Sequence, residues 1–283
     1  MEYKIRGMRV EDLEFAARCT AIEGWLSETA QDFENFLAFD PEGCFVAEVD
    51  GKPVGICIAV NYGHIGFIGE LVVLRDFRGN KIGSGLLNHS IDYLRSSGAE
   101  SIYLDADHKA VSLYESENFV HVCKSLRFTG RIDGKPDFNV HPISQDDLPE
   151  IFKIDIALFG SDRTYFLERK YKLFPNLCKV YKQNGVIKGY VFAKNSNGVI
   201  SVGPWTIIDP SINPLSMLEV ISYEQGKINF RIGILDSNKK GVSLLRSLIK
   251  LTEGKPCIRM QLGDNFPLGF GESFYGIGSA AKG

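Results

Sequence analysis

Long apolar runs are missing from this 283-residue sequence. The longest, over residues 54–60, already contains Gly55 and falls far short of the ~20 residues that a bilayer-spanning helix needs, so no membrane partner is expected. The N-terminus, Met1-Glu-Tyr-Lys-Ile-Arg6, also lacks an apolar signal core, and a cytoplasmic location is expected. Neither sign of charge is in large excess: 32 basic and 35 acidic residues leave a net charge of −3. Without a basic run, nucleic acid is not expected as a partner. Metal-ligand spacing is absent as well. The six cysteines stand singly, and the five histidines do not cluster. No metal is expected, and the thiols read as small buried hydrophobes of a reducing compartment. What remains is an ordinary globular composition, 44 % hydrophobic and 24 % charged, in a chain long enough for two domains that each bury a core.

The chain repeats itself. Cys44-Phe-Val46 is followed by Gly51, Gly55, Ala59 and Gly69; Cys178-Lys-Val180 is followed by Gly185, Gly189, Ala193 and Gly203, each at an offset of 134. Residues 104–113 match residues 235–244 at an offset of 131, and Glu11-Asp12-Leu13 resembles Asp146-Asp147-Leu148. Three matches in one order read as two copies of one fold. The copies are placed at residues 1–130 and 138–283, joined by the polar, turn-rich stretch 131–137.

Apolar periodicity in the first copy predicts a helix over residues 11–21 and a hairpin of 44–49 with 53–60 through Asp50-Gly51. Beyond it come a strand over 65–74, a helix over 80–95 stopped by Ser97-Gly98, a strand over 101–104, a short helix over 109–116 and a last strand near 121–128. Meandering strands followed by a βαβ unit predict an α/β (α+β) class. Each copy should hold a mixed, mostly antiparallel twisted sheet flanked by helices.

Chemistry is concentrated in one place. The strand Gly69-Glu-Leu-Val-Val-Leu74 runs through Arg75-Asp-Phe77 into Arg78-Gly-Asn-Lys-Ile-Gly-Ser84 and a helix. A glycine-rich turn feeding a helix start offers unpaired backbone N–H groups and the positive end of the helix dipole. Gly79 and Gly83 let an anion approach the backbone, and Arg78 and Lys81 add charge. A di-anionic phosphate is the natural ligand. No Gly-Lys-Ser/Thr follows at Walker spacing, and no Gly-x-Gly-x-x-Gly occurs here, so neither of those nucleotide motifs applies.

These residues resemble a family. Leu71-x-Val73-x-x-x-Phe77-Arg78-Gly79-x-x-Ile82-Gly83-x-x-Leu86-Leu87 resembles motif A of the GNAT superfamily of acetyl-CoA-dependent N-acetyltransferases, with Lys81 where a glycine is usual. Asp107-x-x-Ala110-x-x-Leu113-Tyr114-Glu115-x-x-Asn118-Phe119 is similar to a second GNAT pattern, with Asp107 for Asn and Asn118 for Gly. The second copy is similar to the C-terminal domain of two-domain bacterial and archaeal GNAT proteins through 159–163, Gly203-Pro-Trp205, Arg259-Met260 and 275–279. It lacks the glycine-rich loop, and Leu245 stands where Tyr114 stands in the first copy.

The resemblance implies acetyl transfer from acetyl-CoA to a primary amine by direct attack in a ternary complex. It implies backbone contacts of Leu71, Val72 and Val73 with the donor, a pyrophosphate on Arg78, Gly79, Asn80, Lys81, Ile82, Gly83 and Ser84, and Asp107 as a further donor-binding residue. It also implies Tyr114 as the acid for the departing sulfur and Glu70 as either base or acceptor-binding carboxylate. Trp25 falls in the segment that lines the acceptor groove in this family, and packing in the core is an equal reading. His64 reads as a solvated turn histidine. A small-molecule or peptide amine is the expected acceptor. A CoA-binding regulatory or sensor protein without turnover is the alternative. The second copy is expected to bind no CoA and to serve the acceptor side or the structure.

Overall fold

The computed structural model describes residues 1–25, 27–263 and 271–283. In chain order the elements begin with β1 (Lys4–Gly7), α1 (Leu13–Ile22), α2 (Ala30–Phe39), β2 (Cys44–Val49), β3 (Lys52–Asn61), β4 (Ile65–Val73), α3 (Ile82–Ser96), β5 (Ser101–Ala106) and α4 (Val111–Ser116). They continue with β6 (Val120–Gly130), β7 (Val140–Pro142), α5 (Leu148–Phe159), α6 (Thr164–Leu173), β8 (Lys179–Gln183), β9 (Val186–Ser196) and β10 (Val199–Ile207). The last are α7 (Ser216–Gln225), β11 (Asn229–Leu235), α8 (Lys239–Ser247), β12 (Leu251–Glu253), β13 (Cys257–Gly263) and β14 (Phe274–Gly276).

Several boundaries follow from local chemistry. The β2–β3 turn has Asp50 at φ 48 and Gly51 at φ 72, the paired positive values of a type I′ hairpin. Helix α3 begins at Ile82, two residues later than the periodicity predicts, because Lys81 sits in the left-handed region at φ 63, ψ 9. Helix α4 closes on Asn118 at φ 66, where Asn tolerates the left-handed cap. Strand β1 and helix α2 add to the elements that apolar periodicity predicts. The signal for α2 was present: Thr29 and Asp32 form a reciprocal capping box, with Thr29 N–H donating to Asp32 Oδ2 at 2.9 Å.

The chain divides into two compact units, neither of which is a single stretch of sequence. Unit 1 comprises Met1–Val122, Ile258–Phe266 and Ala280–Gly283; unit 2 comprises Cys123–Cys257 and Pro267–Ser279. In unit 1 the strands run β1-β2-β3-β4-β5-β13, with β4 parallel to β5 and the other pairs antiparallel. Leu86, Leu87 and Leu94 of α3 are buried with Ile68, Ile102 and Leu104 of the sheet and with Met260 of β13. In unit 2 the strands run β6-β11-β10-β9-β8-β7, with β10 and β11 parallel and the other pairs of this order antiparallel. Its core gathers Leu126 and Phe128 of β6 with Trp205, Leu218, Ile232 and Leu245.

The repeat boundary at 130/138 therefore differs from the division in space. Strand β6, at the end of the first copy by sequence, pairs with β11 from Ser125 to Gly130. Arg259-Met260, which by resemblance belong to the second copy, pair with β5 of unit 1. The physical reason is charge: Arg259 stands opposite Asp105 in the β13–β5 register, and their ion pair is fully buried. The Arg259 guanidinium also lies 5.4 Å from the Phe67 ring centre.

A buried ion pair contributes little net stability when intact, but removing one partner leaves an uncompensated buried charge. Arg259→Met should therefore lower the unfolding free energy of unit 1 by ~3–5 kcal/mol, and the double variant Arg259→Met/Asp105→Leu should regain most of it. Denaturant midpoints check this, and an unchanged midpoint in the single variant would refute the role given to the pair. A fragment ending at residue 131 lacks β13 and should be unstable for the same reason.

Candidate active site

Strands β4 and β5 start side by side and then part. Their parallel register runs from Ile65↔Ser101 to Phe67↔Tyr103 and stops, although β4 continues to Val73 and β5 to Ala106. The cause lies on the opposite edge of β4. Between Ile56↔Val72 and Ile58↔Gly69 the register shifts, so Glu70 and Leu71 together oppose Cys57. Glu70 takes φ 52, a conformation that is unusual for a residue with a side chain. A bulge of this kind increases twist and bends the strand away from its neighbour.

The bulge also sets which backbone groups are available. Leu74 N–H donates to Val54 C=O at 2.9 Å. By alternation Val72 turns its N–H and C=O toward β3, while Leu71 and Val73 turn theirs to the edge that β5 has left. The Val73 carbonyl confirms the direction, since it accepts a bond from Arg78 Nε at 2.8 Å. Val72 is thus turned to the β3 ladder and away from the expected donor contact, while Leu71 and Val73 present their backbone groups on the open side.

At the end of β4 the chain enters the glycine-rich turn. Gly79 has φ 79, and a Cβ there would meet nothing within 4 Å. A Cβ at Gly83 would have its nearest neighbours at 3.8 Å (Val73 Cγ2) and 4.0 Å (Leu113 Cδ2). Both glycines therefore leave open space that a side chain would fill. The first α3 turn carries no acidic residue, and no side chain caps it. The turn's own first bond joins Gly85 N–H to Lys81 C=O at 2.9 Å, so the N–H groups of Ile82, Gly83 and Ser84 precede the helical ladder. A phosphate fits this donor set. Lys81 is exposed beside it. Asn80 is turned inward, with Nδ2 bonded to Phe77 and Arg78 carbonyls at 3.2 and 3.3 Å.

Arg78 behaves as a latch as well as a charge. Besides Val73 it holds Glu23, just past the end of α1, at 2.6 Å. Asp107 is exposed, and its Oδ1 accepts Lys109 N–H at 2.9 Å, so its carboxylate shapes the turn before α4. Tyr114 on α4 is buried, with its ring centre 6.0 Å from that of Phe119, in the same apolar cluster as Val73 and Ile82. Glu70 is 8 % exposed. Cys57, facing the bulge, is fully buried and its thiol is pushed up to about 12, chiefly by burial and further by the Glu70 charge. Trp25 is 37 % exposed, which removes the core-packing reading. His64 has its Nε2 buried rather than solvated. No local sequence signal pairs Glu23 with Arg78, because the two stand 55 positions apart.

Residues 10–119 match the family model described as "Acetyltransferase (GNAT) family". Residues 151–276 match another described as "Acetyltransferase (GNAT) domain". An acetyltransferase of Pectobacterium atrosepticum is 31 % identical over 119 residues, which cover 84 % of its length and 40 % of this chain. The chain belongs to the GNAT acetyltransferase family. N-alpha-acetyltransferase 30 of Dictyostelium discoideum is 32 % identical over 100 residues, or 33 % of this chain and 54 % of that protein. Three further curated relatives are likewise matched over 35–52 % of their length. A crystal structure of a putative acetyltransferase from Pyrococcus horikoshii shares the fold at a TM-score of 0.82 and 22 % identity, over 99 % of this chain and 96 % of that one.

The two GNAT domains differ at their matching sites. In unit 2 the parallel register of β10 and β11 also stops, at Val202↔Ile232, beside a shift in the β9 ladder between Val202 and Trp205. Here the parted strands are filled by the chain itself. Strand β14 pairs with β10 (Trp205↔Gly276), and Ile277 N–H donates to Gly233 C=O of β11 at 2.9 Å. A Cβ at Gly203 would stand 1.8 Å from Ile277 C=O. Helix α7 has Glu219 in its first turn, where α3 has no acid. Leu245 and Trp205 are fully buried in the core. Arg163 is held by Asp155 at 2.7 and 2.9 Å, both buried, which makes it structural.

A carboxylate in the first α3 turn tests the cradle apart from the fold. Gly83→Asp has room for its Cβ and suits the helix dipole. Stability should stay within ~0.5 kcal/mol while acetyl-CoA affinity, read by calorimetry, falls ~100-fold or more. Retained affinity would remove the phosphate from this turn.

Proposed function

We infer that the protein is an N-acetyltransferase that moves acetyl from acetyl-CoA to a primary amine, with its donor site in unit 1. The observation that carries this reading is the uncapped, acid-free start of α3 beside the parted edge of β4. The N–H groups of Ile82, Gly83 and Ser84, with Lys81, hold the pyrophosphate. The N–H groups of Leu71 and Val73 receive the donor arm, and the Leu71 N–H stabilises charge that develops on the thioester oxygen. The donor supplies an activated acetyl thioester.

The remaining work is proton transfer. The acceptor reaches the site as an ammonium and must lose a proton to attack. Glu70 lies at the bulge, one residue from the Leu71 N–H, and its carboxylate takes that proton directly or through water. The departing thiolate takes a proton from the Tyr114 hydroxyl. Trp25 adds an exposed aromatic surface for the acceptor. Unit 2 carries no donor site in this reading, because β14 lies between its parted strands and its loop lacks the glycine cradle.

Calorimetry should give one acetyl-CoA per chain; a value near two would place a donor site in unit 2. Tyr114→Phe should lower turnover ~10²-fold with donor affinity unchanged. Unchanged turnover would return Tyr114 to core packing. Glu70→Gln should remove the acidic limb of the rate profile if Glu70 is the base. A higher acceptor KM with the limb intact would make it a binder. Donor binding without thiol release across an amine library would favour the sensor reading.

A further inference from the structure

Residues Ala280–Gly283 belong to unit 1, and they lie against β4 next to the bulge. A Cβ on Gly69 would stand 2.3 Å from Ala281 Cβ and 2.6 Å from its Cα. Gly69 is not among the residues of positive φ, so this position needs glycine for close approach and not for conformation. Ala281 is 1 % exposed. Tyr62 donates its hydroxyl to the Lys282 carbonyl at 3.0 Å. The segment is therefore seated on a matching surface.

That surface is aromatic. Phe67 precedes Gly69 by two residues on β4 and shares its face. Tyr62 lies 6.1 Å from Phe67 and 6.1 Å from Phe39. Phe36, on the same turn-and-a-half of α2, is 1 % exposed, and the Lys282 ammonium sits 4.3 Å from its ring centre. A cation over an aromatic face gains ~0.5–2 kcal/mol. So the chain brings a primary alkyl ammonium of its own to the Phe36 ring, while Ala281, the residue before it, lies on Gly69, next in sequence to Glu70.

We propose that Ala280–Gly283 occupies the acceptor subsite as an internal stand-in, and that the acceptor is an unhindered primary alkyl ammonium on a flexible chain, such as a lysine side chain or an alkyl diamine, which displaces it. This rests on the reading that Glu70 faces the acceptor amine. Ala281 on Gly69 closes the subsite at its floor, and Lys282 over Phe36 fills its cation position. An aromatic wall near the Glu70 carboxylate suits an alkyl ammonium and disfavours an acidic or bulky secondary amine.

Hydrogen exchange at the amides of residues 281–283 tests the displacement in the full chain. The probe is n-pentylamine, which copies the lysine side chain, with n-pentanol as the control. Saturating n-pentylamine should raise exchange there at least fivefold, and n-pentanol should not. Unchanged exchange, or an equal effect of the alcohol, would overturn the proposal. This readout needs no acetyl transfer, so it stands apart from the enzymatic reading. Where thiol release is seen, Lys282→Met should lower the KM for n-pentylamine at least fivefold with kcat and acetyl-CoA affinity retained, and Lys282→Arg should keep the original KM. An unchanged or raised KM in Lys282→Met would also overturn it. Thiol release absent from every form would defeat the acetyltransferase reading and leave the exchange result to decide the role of the segment.

Discussion

The parting of β4 from β5 is the constraint on which the candidate site depends. One extra residue in β4, opposite Cys57, bends the strand after Phe67↔Tyr103 has ended the parallel ladder. A closed sheet would spend the N–H groups of Leu71 and Val73 on β5. The bend leaves them for a ligand and holds Glu70 beside them. The cost is a non-glycine residue at φ 52, strain of ~1–3 kcal/mol that a surrounding structure must hold in place. Buried Cys57, bonded by Ser90 Oγ at 3.1 Å, backs the bulge from α3.

The same parting recurs in unit 2 and has a different outcome. There the chain's own strand β14 bonds to β10, and Ile277 bonds to β11. A parted pair leaves backbone donors and acceptors unsatisfied, and such groups are paired when buried. A ligand can satisfy them, or the protein can. Two copies of one fold thus separate into a unit with a cradle and a unit with a plug. Close backbone approach marks both places: Gly203 against Ile277 in unit 2 and Gly69 against Ala281 in unit 1.

Exchange of strands between the sequence copies ties each unit's integrity to distant parts of the chain. Strand β13 brings Arg259 to Asp105 across 154 positions, and neither charge could remain buried alone. Segments 258–263 and 280–283 are therefore components of the unit that carries the cradle. Its stability depends on residues that the repeat assigns to the second copy.

Much of this was legible in the residues. Period-2 and period-3.6 apolar patterns located β2, β3, β4 and α3, because burial on one face imposes them. Asp50-Gly51 announced its turn, Asn118 its helix cap, and the glycine spacing between Arg78 and Ser84 announced the open turn before α3, since each depends on neighbours within a few positions. The offset of 134 exposed the duplication. Tertiary structure alone decided the rest. It placed β6 in unit 2 and β13 in unit 1, joined Arg78 to Glu23, filled one gap with β14 and left the other open. It also laid Ala281 on Gly69. These are contacts between residues tens to hundreds of positions apart, chosen by complementary charge and by the space a missing Cβ leaves, and such choices have no local signature in a sequence.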